Sequence, residues 1–437
     1  MHRRSFTDTV NYYFTRFRVQ PPQISDPVSS GTGVIIVIPC FNEPGLVETF
    51  ESLWQCEQPK GVVEIITVIN SGEDAPDECI RQNRQTYNDA LKWIGSHQRE
   101  KLEFHILNII NLPKKHAGVG LARKIGMDEA LHRFENIGSA GVIVCLDADC
   151  KVAENYLTAI EDNFAHGKTN AGTIYFEHDI NRKNNKVLIE GILKYELFIR
   201  YNVRALKFSG FPYAYHTVGS CMAVRADVYA LAGGMNKRKA GEDFYFLHKI
   251  IPLGNFVEIN NTCVYPSPRI SDRVPFGTGK TMLDWVKKHE EPARVKGQGL
   301  KGEFLTYNFS TFEDLRALVL SVDALYNCHA KSNYDELMEK LPLSVRIYLK
   351  EENFHEKLTE IIQETSSLVS FRKRFFAWFN GLKIIKFVHY ARDHYYEQVP
   401  LHEACKLLLR NKNIKFADEV KEVELLQIFR ELDRDSL

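Results

Sequence analysis

The chain has 437 residues, 44% hydrophobic and 26% charged, which suits one large or two moderate globular domains with a sizeable core. Lys plus Arg and Asp plus Glu are equal at 56 each, so global charge gives no reason to expect a nucleic-acid partner. No stretch of about 18 apolar residues is available to span a membrane. The nine scattered cysteines lack Cys-x-x-Cys spacing and read as reduced thiols of a cytoplasmic protein.

Residues 1–32 read as an N-terminal arm, basic and aromatic as far as Val19, then rich in Pro and Ser. No apolar run of signal-peptide length follows His2-Arg3-Arg4, so export is not expected. From Gly33 the pattern changes. β-Branched runs at Val34 to Ile38, Val62 to Ile69, Phe104 to Ile110 and Val142 to Leu146 predict strands. Leu46 to Trp54 and Leu121 to Phe134 have helical patterning between them. Strands recurring about every 30–40 residues with helices between them predict β-α units and a mostly parallel sheet, whose ligands bind beyond the carboxyl ends of the strands. After Phe276-Gly277-Thr278-Gly279 the chain reads as mostly helical, with apolar helical spacing at Leu315 to Tyr326 and Ala417 to Leu432. The expected organisation is an arm over 1–32, an α/β domain over 33–280 and a helical region over 281–437.

The fourth apolar run leads straight into Asp147-Ala148-Asp149. Two positions apart on an extended chain, the carboxylates point the same way. Their repulsion is relieved by a divalent cation, and hard oxygen ligands at a strand end suit Mn²⁺ or Mg²⁺ shared with phosphate oxygens. The alternative is a plain loop in which one Asp caps a helix starting near Glu154. Further on, Gly241-Glu242-Asp243 opens an apolar helical pattern at Phe244, Leu247, Ile250 and Ile251. Carboxylates there are favoured by the helix dipole alone. They also suit a general base set against an acceptor hydroxyl.

Other segments carry two readings each. Lys114, Lys115 and Arg123 surround Gly118 and Gly120, either as a diphosphate-binding segment or as a solvated basic turn. A dinucleotide fingerprint fits poorly there, because Arg123 stands where the third glycine belongs. Arg269-Ile270-Ser271-Asp272-Arg273 precedes Gly277-Thr278-Gly279 and suits either closure over a bound donor, with Arg273 contacting it, or a domain hinge. His178 and His216 are candidates for a third metal ligand or an acceptor contact, although a lone His is more often structural. Phe371 to Tyr390 carries five Lys and Arg and no acid before its end, with Phe371, Phe375, Phe379 and Leu382 at helical spacing. Such a helix either lies on an anionic membrane surface or packs into a core with its charges solvated, and the spacing favours the core.

Taken in order, these motifs resemble the family-2 glycosyltransferases over about residues 33 to 250. Ile38-Pro39-Cys40-Phe41-Asn42-Glu43 looks like that family's first strand and nucleotide-contacting turn. Ala117 to Gly126 looks like its glycine-and-arginine helix start, and Asp147-Ala148-Asp149 matches its Asp-x-Asp signature. Gly219 to Arg225, Gly233-Gly234 and Glu242-Asp243 resemble its acceptor-side half. The resemblance implies the GT-A fold, a Rossmann-like mostly parallel sheet flanked by helices. It implies inverting transfer of a sugar from a nucleotide-diphosphate donor to an acceptor hydroxyl, the acceptor being a saccharide or a lipid-linked one. Asp243 would be the base, with Glu242 on acceptor hydroxyls. Asp149 would be the main ligand of Mn²⁺ or Mg²⁺, and Asp147 would bind metal or ribose. Pro39, Asn42, Glu43, Asn70, Lys115 and Arg123 would face the donor. The chain departs from the pattern at Ile69-Asn70-Ser71, where the family usually has paired aspartates, so the nucleotide base is not identified.

Two competing functions lie nearby. A sugar-phosphate nucleotidyltransferase would need a glycine-rich basic first loop, whereas Pro39 to Glu43 has neither glycine nor a basic residue. A catalytically silent scaffold would have no need of Asp147, Asp149, Glu242 and Asp243 together.

Overall fold

The computed structural model describes residues 5–180, 185–271, 277–290, 303–328 and 331–435. The chain divides into two compact units, one of Met1–Ile189, Thr217–Asp284 and Leu432–Leu437, the other of Glu190–His216 and Trp285–Glu431.

The first unit is built on an eight-stranded sheet. In chain order it begins with α1 (Phe6–Phe17), β1 (Thr32–Cys40), α2 (Leu46–Trp54), β2 (Val62–Gly72), α3 (Asp77–Ser96), β3 (Leu102–Leu112) and α4 (Val119–Asn136). It continues with β4 (Val142–Cys145), β5 (Lys151–Val152), α5 (Tyr156–Phe164), β6 (Ala171–Phe176) and the start of the long helix α6 (Lys186–Phe208). After these come β7 (Met222–Arg225), α7 (Ala226–Leu231), α8 (Glu242–Ile250), β8 (Phe256–Tyr265) and the first turns of α9 (Thr278–Glu290). The strand order is β3-β2-β1-β4-β7-β6-β8-β5.

β1 runs parallel to β2 and β4, and β2 parallel to β3, whereas β7 is antiparallel to both its neighbours and β5 antiparallel to β8. The four predicted strands are β1 to β4, and both helices predicted between them are present. Val34 to Ile38 are all buried, as a strand covered on both faces requires, which is why the run is apolar without alternation. Helix α4 packs so closely on β1 that a Cβ at Gly126 would lie 2.5 Å from Val37 Cγ1. The Val37–Cys145 pairing places the end of β4, and so Asp147, at the carboxyl edge of the parallel strands.

Part of the segment read as an arm is helical and packed. Ser5 accepts a hydrogen bond from the Asp8 N–H to cap α1. Val10 and Tyr13 are then buried against α4 and α7, so Tyr13 serves a core, while Tyr12 and Phe17 remain exposed. Tyr13 and Tyr229 both donate to Asp128 Oδ1, at 2.6 and 2.7 Å, and Lys124 pairs with the same carboxylate.

Among its described residues the second unit is helical apart from the two-residue strands β9 (Leu305–Thr306) and β10 (Val399–Pro400) and the loops. Its remaining helices are α10 (Phe309–Tyr326), α11 (Lys331–Glu339), α12 (Leu343–Glu351), α13 (Phe354–Gln363), α14 (Leu368–Trp378), α15 (Gly381–His394), α16 (Leu401–Asn411) and α17 (Glu422–Asp435), the last of which ends in the first unit. Phe371, Phe375 and Phe379 are fully buried, while Arg372, Arg374 and Lys383 pair with Asp323, Glu364 and Glu352. The basic aromatic stretch thus packs into a core with its charges outward, but as two helices. Asn380 breaks it, its side chain accepting from the N–H groups of Leu382 and Lys383 to start α15. The helix predicted from Ala417 starts later, at Glu422, where the Glu424 carboxylate accepts from the Lys421 N–H. Among the described residues no helix is long and apolar enough to cross a membrane, and no disulfide forms.

Candidate functional site

The turn after β1 is held from behind by α3. Asn42 takes the left-handed conformation at φ 50°, and its N–H donates to Asn83 Oδ1 at 2.8 Å. Asn83 in turn donates to the Asn70 carbonyl at the end of β2, and Thr86 donates to the Glu43 carbonyl. One helix thereby ties Asn42, Glu43 and Asn70 together, and Pro39, Glu43 and Asn70 are buried. Neither Asn83 nor Thr86 stands out in the sequence.

At the end of β4, Leu146 N–H still donates to the Val37 carbonyl, and a turn closes from Cys150 N–H to the Asp147 carbonyl. Ala148 is buried between two part-exposed aspartates, and Thr49 on α2 donates to its carbonyl at 2.9 Å. The plain capping role is excluded for both aspartates. The next element is β5, and α5 starts only after Asn155.

Arg123 is where the structure departs most from expectation. Instead of lying open toward a diphosphate, it is buried in the first turns of α4, with its guanidinium paired to Asp147 on one side and Glu242 on the other. The neighbouring glycines explain how it gets there. A Cβ at Gly219 would lie 2.5–2.8 Å from three atoms of that guanidinium, so a larger residue there would push Arg123 from its place between the two acids. A Cβ at Gly120 would overlap the Arg238 carbonyl oxygen and crowd Glu242, so this glycine seats α4 against the segment before α8. Gly118 and Gly120 therefore act in packing.

Gly241, left-handed at φ 69°, stops the chain before α8 and puts Glu242 and Asp243 in the first helical turn. Burial drives the Glu242 carboxyl from 4.5 up to about 7, against the pull of Arg123 and with help from the Asp243 charge. Burial also raises Asp243, again opposed by Arg123. Burial by itself would weaken the Arg123 charge, but Asp147 and Glu242 hold its proton more tightly than usual.

A second guanidinium serves the other aspartate. Arg269, after β8, lies 2.8 Å from Asp149 Oδ2 through Nε and pairs with Glu43 through its terminal nitrogen. Sequence reasoning placed this arginine on a late loop near the donor without naming its partners. Arg273, proposed to close over the donor, falls outside the described residues. Lys115 is exposed, while Lys114 pairs with Asp74 at 3.1 Å. His178 is buried beside Phe176, and His216 belongs to the other unit. Among the described residues, three ligand-type side chains crowd together at Glu64, Glu103 and His105, toward the amino ends of the strands, where Arg133 already pairs with Glu64.

Arg123 therefore ties Asp147 to Glu242 at the start of α8, where Asp243 is the next residue, and Arg269 ties Asp149 to Glu43. Hard anionic oxygens are the ligand type that Mn²⁺ or Mg²⁺ takes, and Asp147 and Asp149 offer them, each also paired to an arginine. Residues 35–231 match the model of the family described as Glycosyl transferase family 2. No curated protein matches the chain significantly. Among solved structures, S. aureus TarS 1-349 in complex with UDP-GlcNAc is 12% identical with a TM-score of 0.40, over 76% of this chain and 90% of that one. GalNAc-T7 with UDP, GalNAc and Mn²⁺ is 13% identical with a TM-score of 0.33, over 60% of this chain and 48% of that one. Residues 35–231 thus form a family-2 glycosyltransferase domain, and the enzymatic class is that of a glycosyltransferase.

Proposed function

We propose that the chain is an inverting, divalent-metal-dependent glycosyltransferase that moves a sugar from a nucleotide-diphosphate donor to an acceptor hydroxyl. The observation that carries this reading is the ion-paired chain Asp147–Arg123–Glu242, which joins the strand-end aspartates to the first turn of α8. The donor and the acceptor carboxylates are thereby parts of one centre.

Asp243, half-buried beside Glu242, takes the proton from the acceptor hydroxyl as its oxygen bonds to the anomeric carbon. The bond from that carbon to the donor diphosphate breaks from the opposite face, which inverts its configuration. Glu242, held by Arg123, supplies a hydrogen-bonding carboxyl for the acceptor. Asp149 and Asp147 would hold the cation, which when bound offsets the negative charge developing on the departing diphosphate. Asn42, Glu43 and Asn70 line the nucleotide side on a turn made rigid by α3.

Donor turnover tests the metal reading. Activity is expected to need Mn²⁺ or Mg²⁺ and to be lost in Asp149→Ala. Full transfer in that variant, or in EDTA, would sink it. A panel of nucleotide sugars screened by thermal shift with Mn²⁺ identifies the donor, because a ligand that binds the folded state raises its melting temperature.

A further inference from the structure

We propose that Arg269 is a resident counter-cation of the donor site, which holds Asp149 and Glu43 and competes with the divalent ion for them. The inference rests on the metal reading above and deepens it.

Three carboxylates, Glu43, Asp147 and Asp149, meet two guanidiniums at the carboxyl edge of the sheet. The arginines are not equivalent. The Arg123 side chain is 3% exposed and anchored by Glu242 as well as Asp147, so removing it would strand two acids. The Arg269 side chain is 33% exposed and lies beyond the last residue of β8, with no helix or strand fixing its backbone. Its fork reaches Asp149 with one nitrogen and Glu43 with another. A monovalent, part-exposed cation thus sits on the carboxylate expected to be the main metal ligand.

The consequence is an ordering of binding. A divalent ion arriving alone must displace Arg269 from Asp149, which weakens its apparent affinity. A nucleoside diphosphate relieves that competition, because its oxygens can ligate the ion and accept from the displaced guanidinium. Metal and nucleotide then bind cooperatively through one residue, a coupling that is reciprocal by thermodynamic necessity. Arg269 is in this sense a positioning residue, one that keeps Asp149 and Glu43 in place and offsets part of their negative charge before the donor arrives.

The test is the affinity of the full-length protein for Mn²⁺ alone, read from the electron paramagnetic resonance signal of the free ion. Arg269→Gln is expected to bind Mn²⁺ about tenfold more tightly than wild type, within the range usual for coupled sites. Arg269→Lys keeps the charge without the fork and should fall between the two, which also serves if the Gln variant does not fold. Adding Asp149→Asn to Arg269→Gln should abolish the gain. Equal and measurable Mn²⁺ binding by wild type and both Arg269 variants overturns the role of Arg269 while leaving the metal reading intact. No Mn²⁺ binding by any of them, with or without nucleotide, overturns both.

Discussion

Arg123 and Glu242 form an ion pair in which the two side chains are 3% and 4% exposed, although 119 residues separate them. A pair this deep contributes little net stability compared with apolar packing, but breaking it strands a buried charge. Arg123→Ala is therefore expected to destabilise the fold by about 3–5 kcal/mol, measured by urea unfolding. Gly219→Ala should reproduce part of the loss without removing any charge, because its Cβ would enter the space of the guanidinium. Wild-type stability in both variants would show that Arg123 is not held as described.

Glu242 gives the site a pH dependence of defined sign. Its folded-state pKa is raised, from 4.5 to about 7, so the protonated carboxyl is the form that folding favours. Its contribution is fully present below about pH 4.5 and is lost as pH rises through about 7. The stability of wild type relative to Glu242→Gln should fall across that window, with an upper bound of about 3 kcal/mol. Since burial also raises Asp243, the acid limb of kcat/KM should lie above the usual carboxylate range. A flat stability difference from pH 4.5 to 7 would count against a raised Glu242.

The N-terminal helix should matter to stability. Tyr13 donates to Asp128, which is also held by Tyr229 and Lys124. Losing that donor in Tyr13→Phe is expected to cost about 1–3 kcal/mol, since a buried carboxylate loses one of its partners. Gly234→Ala should be worse. Its φ of 69° is left-handed, and the added Cβ would run into the Tyr13 hydroxyl. Thermal melts of the two variants check both.

The parallel half of the sheet was legible because doubly covered strands must be apolar throughout, as Val34 to Ile38 and Val142 to Leu146 are. The acids were legible as motifs because strand ends and helix starts are where carboxylates collect. Their connections were not. Nothing local to Arg123 announces a partner at Glu242, and a cation beside two glycines looks the same in sequence whether it faces phosphate or a buried acid. The same holds for Arg269, 226 residues from Glu43. Helix ends were missed at Asn380 and Glu422 for a related reason, since each depends on a side chain capping a nearby N–H.

The central claim is that proton removal belongs to Asp243 and donor binding to the strand-end acids. It is tested most directly by measuring kcat/KM and donor Kd side by side for Asp243→Asn. The expected result is a loss of about 10²–10⁴-fold in kcat/KM with donor affinity unchanged. Transfer at the wild-type rate, or a loss that appears wholly as weaker donor binding, would contradict it.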